Sequence, residues 1–194
     1  MLRSTTHTGF NAAIVRCTRR CNRFQTFVPT NSVIDMHYQI AALEGMASSQ
    51  GLQLDYVKPH GALYNDMMAK AEVRAAVMEA VASYHQPISL MLQATPDADS
   101  HRDEAETVGI ALLFEAFADR CYDDDGRLLS RSKPGAVHDR ATMLAQVKQL
   151  CDTGTVTSVS GNRLTLNVDT LCVHGDNPEG VDAIREIRAL VDGG

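Results

Sequence analysis

The sequence predicts an α/β fold in which parallel strands alternate with helices, and three observations carry this prediction. Short apolar or alternating segments, typical of strands, are separated by longer segments whose apolar residues recur at helical spacing. Polar clusters come directly after several predicted strands, where parallel α/β sheets build their sites. Two alternating segments meet at Gly161-Asn162, a pair typical of turns, so we expect one β-hairpin near the C-terminus.

The first half of the chain becomes regular at about residue 31. Thr30 or Asn31 is suited to cap a helix, and Gly51 is suited to end it. The segment LQLDYVK alternates and stops at Pro59, which is typical of a strand. In order, we expect a helix over 31–50, a strand over 52–58, an Ala- and Met-rich helix over 66–83, a strand over 87–92 and a helix within 96–107.

The second half opens with an apolar segment, 109–118, that fits either a buried strand or a short helix. Asp123-Asp124-Asp125-Gly126 then indicates a turn. Beyond it we expect a helix over 140–151, hairpin strands over 155–159 and 164–168, a strand over 171–173 and a helix over 178–191 with Pro178 in its first turn.

Composition narrows the possible functions. The 194 residues are 44% hydrophobic and 22% charged, enough for one well-buried domain. A formal net charge of -6 argues against a nucleic-acid binder, and no apolar run reaches the ~18–20 residues of a membrane helix. The five cysteines are scattered and odd in number, which favours reduced thiols in a cytoplasmic protein. We therefore expect neither nucleic acid nor a membrane as a partner.

Residues 1–29 form a basic segment that differs from the rest of the chain. Five arginines fall in it, and no acidic residue precedes Asp35. Such a segment resembles an organellar transit peptide or a basic nucleic-acid-binding arm. The interpretation we favour is a diverged or out-of-frame segment that need not be ordered, followed by the regular domain over 30–194.

The first polar cluster whose side chains could take part in a reaction is KPHGALYN. Lys58 can stabilise an anionic oxygen, and His60 can act as an acid, a base or a ligand. Asn65 completes the cluster around a glycine that allows close backbone approach. The alternative is a loop whose polar residues only meet solvent.

The second cluster lies between the last strand and the last helix. His174 and Asp176 could pair with each other or share a metal, and the helix N-terminus that follows favours an anion. The simpler alternative is that Asp176 or Asn177 caps this helix, and both interpretations can hold together.

The third cluster follows the apolar segment 109–118 and contains Asp119, Arg120 and Arg131. The two arginines could clamp a carboxylate or a phosphate in bidentate fashion. The sequence contains no Gly-rich phosphate loop, no dinucleotide fingerprint and no Gly-x-Ser-x-Gly motif.

With these clusters in view, the chain resembles the LamB/YcsF family, whose members are also called the A subunit of 5-oxoprolinase, over about residues 30–194. Four blocks occur in the family's order: the YQI-A-L helix at 38–43, VKPHGALYN at 57–65, the E-x-FADR-Y block at 115–139 and DTLCVHGDNP at 169–178.

The resemblance implies a (β/α) barrel of the divergent seven-stranded type. It also implies ATP-dependent opening of 5-oxoproline (pyroglutamate) to glutamate, together with two partner subunits; a metal requirement stays open. By the same resemblance the catalytic residues are Lys58, His60, His174 and Asp176, and the substrate-binding residues are Asn65, Asp119, Arg120 and Arg131.

The family's opening D-L-N-x-D-x-G-E strand and its S-x-x-x-A-C-G-x-H-x-G-D block have no counterpart in this sequence. We therefore expect an incomplete barrel without the first strands, whose open sheet edges favour aggregation or pairing with another chain. Low or no oxoprolinase activity is expected of the chain alone. Two alternatives remain: a catalytically inactive fragment that keeps its local fold or partner binding, and a barrel enzyme of carbohydrate metabolism.

Overall fold

A computed structural model describes residues 13–16 and 29–193, and the predictions for residues 1–12 and 17–28 lie outside this part. It confirms the α/β class, because parallel strands alternate with helices. The elements in chain order are β1 (Ala13–Arg16), α1 (Pro29–Ser48), β2 (Tyr56–His60), α2 (Ala62–Ala69), α3 (Ala71–Ala82), β3 (Ser89–Gln93), α4 (Ala98–Val108), β4 (Leu112–Phe117), α5 (Arg140–Thr153), β5 (Thr155–Thr157), β6 (Arg163–Thr165), β7 (Thr170–Cys172) and α6 (Pro178–Asp192).

The described residues form two compact units. The N-terminal unit comprises residues 13–16, 29–92 and 100–113, and the C-terminal unit comprises residues 93–99 and 114–193.

In the N-terminal unit, β1, β2 and β3 lie side by side and run parallel, with Val57 of β2 opposite Ala13 and Leu90. Helices α1 and α2 both pack on α3. The core contains fully buried side chains from the helices and the strands: Ile40, Val57, Met67, Val77 and Leu90.

Helix α1 buries one face, and hydrogen bonds hold its C-terminal half in place. Met36, Ile40 and Ala47 lie on the buried face, at spacings of four and seven residues. The Glu44 carboxylate accepts hydrogen bonds from the Tyr84 hydroxyl at 2.5 Å and from a neighbouring glutamine amide at 2.9 Å. Burial, together with the bond to Glu44, raises the pKa of Tyr84 to about 12.

The single helix predicted over 66–83 is wrong, because the segment contains two helices that meet at Lys70. Lys70 has an extended backbone, with φ -130° and ψ 117°. The Arg74 guanidinium fixes this corner by donating to the Met67 carbonyl at 3.0 Å and to both oxygens of Glu104 on α4. Ala and Met propensities favour helix throughout and do not encode the break, which lies next to a partly buried ion pair with another helix.

Strand β2 lies further along the chain than the predicted 52–58. Gly51 and Leu52 donate backbone hydrogen bonds to the end of α1, to the carbonyls of Ser48 and Ala47, so the strand starts later. It then continues through Pro59 to His60, because a proline fits a strand wherever its missing N–H is not needed. His60 therefore belongs, like Lys58, to the strand and not to the loop after it.

In the C-terminal unit, β4 pairs in parallel with β7, and α5 packs against α6. The ambiguous apolar segment 109–118 contains a strand, β4, of which residues 114–117 are all buried. Burial on both faces is typical of a parallel strand covered on each side. A hydrophobic cluster joins the two helices to the end of β4 and comprises Ala118, Met143, Val147, Ala183 and Ile187.

The predicted hairpin is confirmed. Strands β5 and β6 are antiparallel, and Gly161 between them has a φ of 86°, which favours glycine. The last two helices match their predictions closely: α5 begins at Arg140 after an Asp139 cap, and α6 begins at Pro178.

Among the described strands, β1 has β2 as its neighbour on one side only, and β7 likewise has β4 on one side only. The described strands therefore do not close into a barrel, as the prediction of an incomplete barrel expects. Within the described residues, no helix has both the length and the apolar character needed to cross a membrane.

Candidate functional site

His174 and Asp119 form a hydrogen-bonded pair in the C-terminal unit. The imidazole Nδ1 lies 2.9 Å from Oδ1 and 3.1 Å from Oδ2 of the carboxylate. A carboxylate only accepts hydrogen bonds, so Nδ1 carries the proton and Nε2 of the neutral ring keeps its lone pair. The Asp119 side chain has no exposed surface, whereas the His174 side chain keeps 27% of its surface exposed.

Phe117 supports the imidazole from one side. Its ring stacks on that of His174 with the centroids 5.3 Å apart and the planes 18° from parallel. Phe117 is the last residue of β4, and Asp119 follows two positions later, whereas His174 follows β7. Because β4 and β7 are parallel neighbours, their carboxyl ends bring these residues together.

The pKa of Asp119 is lowered even though the carboxylate is buried. Burial is the largest influence and raises the pKa, but the hydrogen bond and the charge of His174, with backbone hydrogen bonds, outweigh it. Asp119 therefore stays ionised at neutral pH and can stabilise the imidazolium form of His174.

Asp176 has a different partner. Nη1 of Arg131 lies 2.5 Å from Oδ2 of Asp176, and Nη2 lies 3.3 Å from Oδ1. Both side chains are largely exposed, and their hydrogen bond lowers the pKa of Asp176 and raises that of Arg131. The expected pair of His174 with Asp176 is thus replaced by two pairs, His174 with Asp119 and Asp176 with Arg131.

The last helix has the predicted polar cap. The Asn177 side chain accepts a hydrogen bond from the Gly180 amide at 3.4 Å, and Pro178 occupies the first turn. Asn177 rather than Asp176 is therefore the cap. In the described part of the chain, no group of three or more His, Cys, Asp or Glu side chains is arranged to hold a metal ion.

Arg120 holds the loop that leads from β4 towards α5. Its Nε donates to the Ala136 carbonyl at 3.1 Å, and its Nη2 donates to the Leu129 carbonyl at 2.6 Å. The side chain is buried, and burial lowers its pKa. These contacts give Arg120 an anchoring role in the loop, and its role in substrate binding stays a prediction.

The remaining predicted residues lie in the N-terminal unit. Lys58 and His60 project from the same face of β2, since alternate residues of a strand share a face, and both are half-buried. Lys58 Nζ lies 5.9 Å from the ring centroid of Tyr64, within range of a cation–π contact. Asn65 is exposed on α2.

A cavity of about 450 Å³ lies in the N-terminal unit, at the amino ends of its strands. Asp55, just before β2, and Ser89, at the start of β3, line it together with Tyr84 and His85. Parallel α/β sheets place their sites at the carboxyl ends of the strands, so we do not assign this cavity to the chemistry of the polar clusters.

Sequence reasoning missed Gln146, which holds the turn that presents Asp119. Its side chain is buried, and Nε2 lies near three backbone carbonyl oxygens of that turn. A signal was available, because Gln146 shares the apolar face of α5 with the buried Met143, Val147 and Leu150. A polar residue on such a face needs hydrogen-bond partners inside the protein.

The C-terminal unit therefore combines a partly exposed imidazole, oriented by a buried carboxylate, with an exposed arginine. This combination suits general acid–base catalysis on a substrate that carries an anionic group. The hydrogen bond from Arg131 is the main cause of the lowered pKa of Asp176, and the nearby His174 lowers it further.

Comparisons with known proteins identify a family and several relatives. The family model described as LamB/YcsF family matches residues 19–193. The A subunit of 5-oxoprolinase from Chromohalobacter salexigens is 50% identical over 159 residues, which cover 81% of this chain and 64% of that protein. The protein of the same name from Pseudomonas fluorescens Pf-5 is 47% identical over 158 residues, covering 81% and 63%.

A solved structure is similar as well. The crystal structure of the lactam utilization protein from Thermus thermophilus superposes with a TM-score of 0.73 at 31% sequence identity, covering 84% of this chain and 65% of that chain. The chain thus spans a little under two thirds of the length of these relatives.

Proposed function

Because this chain belongs to the LamB/YcsF family, we propose that it provides the acid–base site of an enzyme that opens 5-oxoproline to glutamate. The observation that carries the proposal is the hydrogen bond between His174 and the buried Asp119. The names of the relatives, a 5-oxoprolinase subunit in one case and a lactam utilization protein in the other, support a cyclic amide as the substrate class.

In the proposed reaction, Nε2 of His174 accepts a proton from the water that attacks the lactam carbonyl carbon. The bond between that carbon and the ring nitrogen then breaks, and the imidazolium returns the proton to the leaving nitrogen. The product carries a new carboxyl group and a free amino group, which makes it glutamate. Asp119 keeps the imidazole in the required tautomer and stabilises its charged form.

Arg131 is proposed to bind the carboxylate of 5-oxoproline. Its guanidinium already holds the carboxylate of Asp176 at the surface, so the site accepts an anion of this shape. A substrate carboxylate can take the place of Asp176, which is then free to take part with His174 in proton transfer.

The roles of the other predicted residues rest on the family resemblance. Lys58 and His60 are proposed as catalytic groups, and Asn65 and Arg120 as substrate-binding groups. The coupling to ATP and the two partner subunits belong to the same proposal; the word "subunit" in the names of the relatives supports a complex. No residue of this chain is assigned to the nucleotide. A cytoplasmic location is supported by the free thiols of Cys121, Cys151 and Cys172.

The test measures ATP-dependent glutamate release from 5-oxoproline by the chain alone and with its two partner subunits. Glutamate release with the partners, lost in a His174→Ala variant, would support the proposal. The matching 5-oxoprolinase subunit of Chromohalobacter salexigens serves as the positive control. If that protein is active with the same partners and this chain is not, the chain is an inactive member of the family and the proposal fails.

A further inference from the structure

The side chain of Gln146 contacts three backbone carbonyls of the turn that follows β4. Nε2 lies 2.9 Å from the Phe117 carbonyl oxygen, 3.2 Å from that of Ala118 and 3.0 Å from that of Arg120. An amide nitrogen has two protons, so at least one of them is shared between two of the three carbonyls. Asp119, the carboxylate partner of His174, lies inside the segment that these contacts enclose.

The other end of the same amide is also occupied. Oε1 of Gln146 lies 3.2 Å from Nε2 of His138, and the backbone N–H of His138 donates to the Asp119 carbonyl at 3.0 Å. Burial lowers the pKa of His138. An amide oxygen only accepts hydrogen bonds, so Nε2 of His138 donates its proton to Oε1 of Gln146. Nε2 of Gln146 therefore contacts the turn directly, and Oε1 contacts His138, which in turn bonds to the Asp119 carbonyl.

Gln146 is held rigidly enough to define the position of this turn. Its neighbours on the same face of α5, Met143 and Val147, are fully buried in the cluster that also contains Ala118. A buried amide that lost its partners would leave polar atoms unpaired, which is unfavourable, so the turn and the amide fix each other.

We propose that Gln146 is a positioning residue, which sets the place of Asp119 and through it the orientation of the His174 imidazole. Gln146 makes no hydrogen bond to the ring or the carboxylate of the pair and acts through the backbone of residues 117–120. The expected effect on turnover rests on the proposed acid–base role of His174. The expected effect on the orientation of the His174 ring does not.

The structural arm uses the full chain labelled with ¹⁵N-histidine and needs no turnover. An imidazole N–H bonded to a buried carboxylate gives a downfield proton resonance that is protected from exchange. We expect this resonance in the wild type and its loss in Asp119→Asn, which assigns it to His174. In Gln146→Leu it should shift or broaden beyond detection, while Gln149→Leu should leave it unchanged.

Gln149 is a matched control because it lies on the same helix and bonds to Thr155 rather than to the turn after β4. If Gln146→Leu does not fold, Gln146→Asn, which keeps an amide but shortens it by one methylene, is analysed in the same way. An unchanged His174 resonance in a folded Gln146 variant would overturn the proposal, even if the melting temperature fell.

The kinetic arm uses the complex with its partner subunits. Misplacing a catalytic group by a fraction of an ångström lowers kcat by about 10- to 100-fold, so Gln146→Leu should lose that much, with KM changed by less than about twofold. Equal kcat in Gln146→Leu and Gln149→Leu would also overturn the proposal. An inactive wild-type complex would instead refute the proposed function, and the resonance would still decide whether Gln146 positions the pair.

Discussion

Nδ1 of His174 lies 2.9 Å from Oδ1 of Asp119, and this contact joins a carboxylate with no exposed surface to an imidazole that still reaches solvent. The two residues come from the carboxyl ends of neighbouring parallel strands, 55 positions apart in the sequence. The pair therefore exists only when β4 and β7 are correctly aligned, which ties the chemistry of the site to the sheet.

Replacing Asp119 by Asn should abolish most of the activity. An asparagine amide can donate to Nδ1, which would place the ring proton on Nε2 and remove the lone pair that accepts the proton of water. We expect kcat for glutamate release to fall by roughly 10²- to 10⁴-fold, the range typical of general acid–base groups. Asp182→Asn, an exposed carboxylate on α6, is the control and should keep wild-type kcat. Equal rates for the two variants would contradict the acid–base role of the pair.

The Asp119 carboxylate should make the stability of the chain depend on pH in the acidic range. Its pKa is lower in the folded chain than its ordinary value of 3.8, because His174 holds the charged form. The resulting stabilisation is present above that ordinary value and is lost as the pH falls through the lower folded pKa. In urea unfolding, the advantage of the wild type over Asp119→Asn should shrink below about pH 4. An advantage that stays constant down to about pH 2 would contradict this account.

Much of the fold could be predicted from local patterns. The hairpin at Gly161, the cap and first turn of α6, and the helix that begins at Arg140 all follow from neighbouring residues, and the structure confirms them. The break at Lys70 could not be predicted, since it depends on Arg74 meeting Glu104, a residue 30 positions away. Likewise the strand that contains Lys58 continues through Pro59, because neighbouring strands and not proline alone set its end.

The site shows the same division. The three clusters could be located, because polar residues after strands stand out in the sequence. Their pairing could not be predicted: sequence proximity suggested His174 with Asp176, whereas tertiary structure pairs His174 with Asp119 and Asp176 with Arg131. Gln146 was missed because its role depends on which carbonyls face it.

Breaking the ion pair at the helix corner should destabilise the N-terminal unit. Arg74 is nearly buried and contacts both Glu104 oxygens, at 2.6 and 2.7 Å, and the bond from Arg74 lowers the pKa of Glu104. Glu104→Gln leaves the guanidinium without its counter-charge, at an expected cost of about 2–3 kcal/mol in the free energy of unfolding. Asp152→Asn, which breaks the exposed pair with Lys148, should cost less than about 0.5 kcal/mol in the same denaturant titration. Similar losses in both variants would show that the corner does not depend on this pair.

Alanine substitutions at two glycines distinguish the cost of backbone strain from the cost of a steric clash. Gly126 and Gly135 have nearly equal positive φ values, 78° and 75°. A Cβ at Gly126 would clash with Cδ of Pro96, whereas a Cβ at Gly135 would meet nothing within 4 Å. Alanine at either position should cost about 1–2 kcal/mol for the left-handed backbone, and Gly126→Ala should lose a further ~1–3 kcal/mol from the clash. Thermal or urea unfolding of the two variants measures the difference, and equal stability would mean that the Pro96 loop yields freely.

Arg131 should control substrate affinity rather than the rate of the chemical step. Its guanidinium offers two parallel N–H donors, of which one makes a 2.5 Å contact with Asp176. If the carboxylate of 5-oxoproline replaces Asp176, Arg131→Met removes binding that is the same in the ground state and the transition state, so KM rises while kcat is kept. A charged hydrogen bond contributes about 1.5–3 kcal/mol, which corresponds to an increase of roughly 10- to 100-fold in KM. Arg163→Met, on the exposed strand β6, is the matched control and should leave KM unchanged. A fall in kcat at constant KM in Arg131→Met would instead place Arg131 in the proton-transfer step and refute its role as the carboxylate ligand.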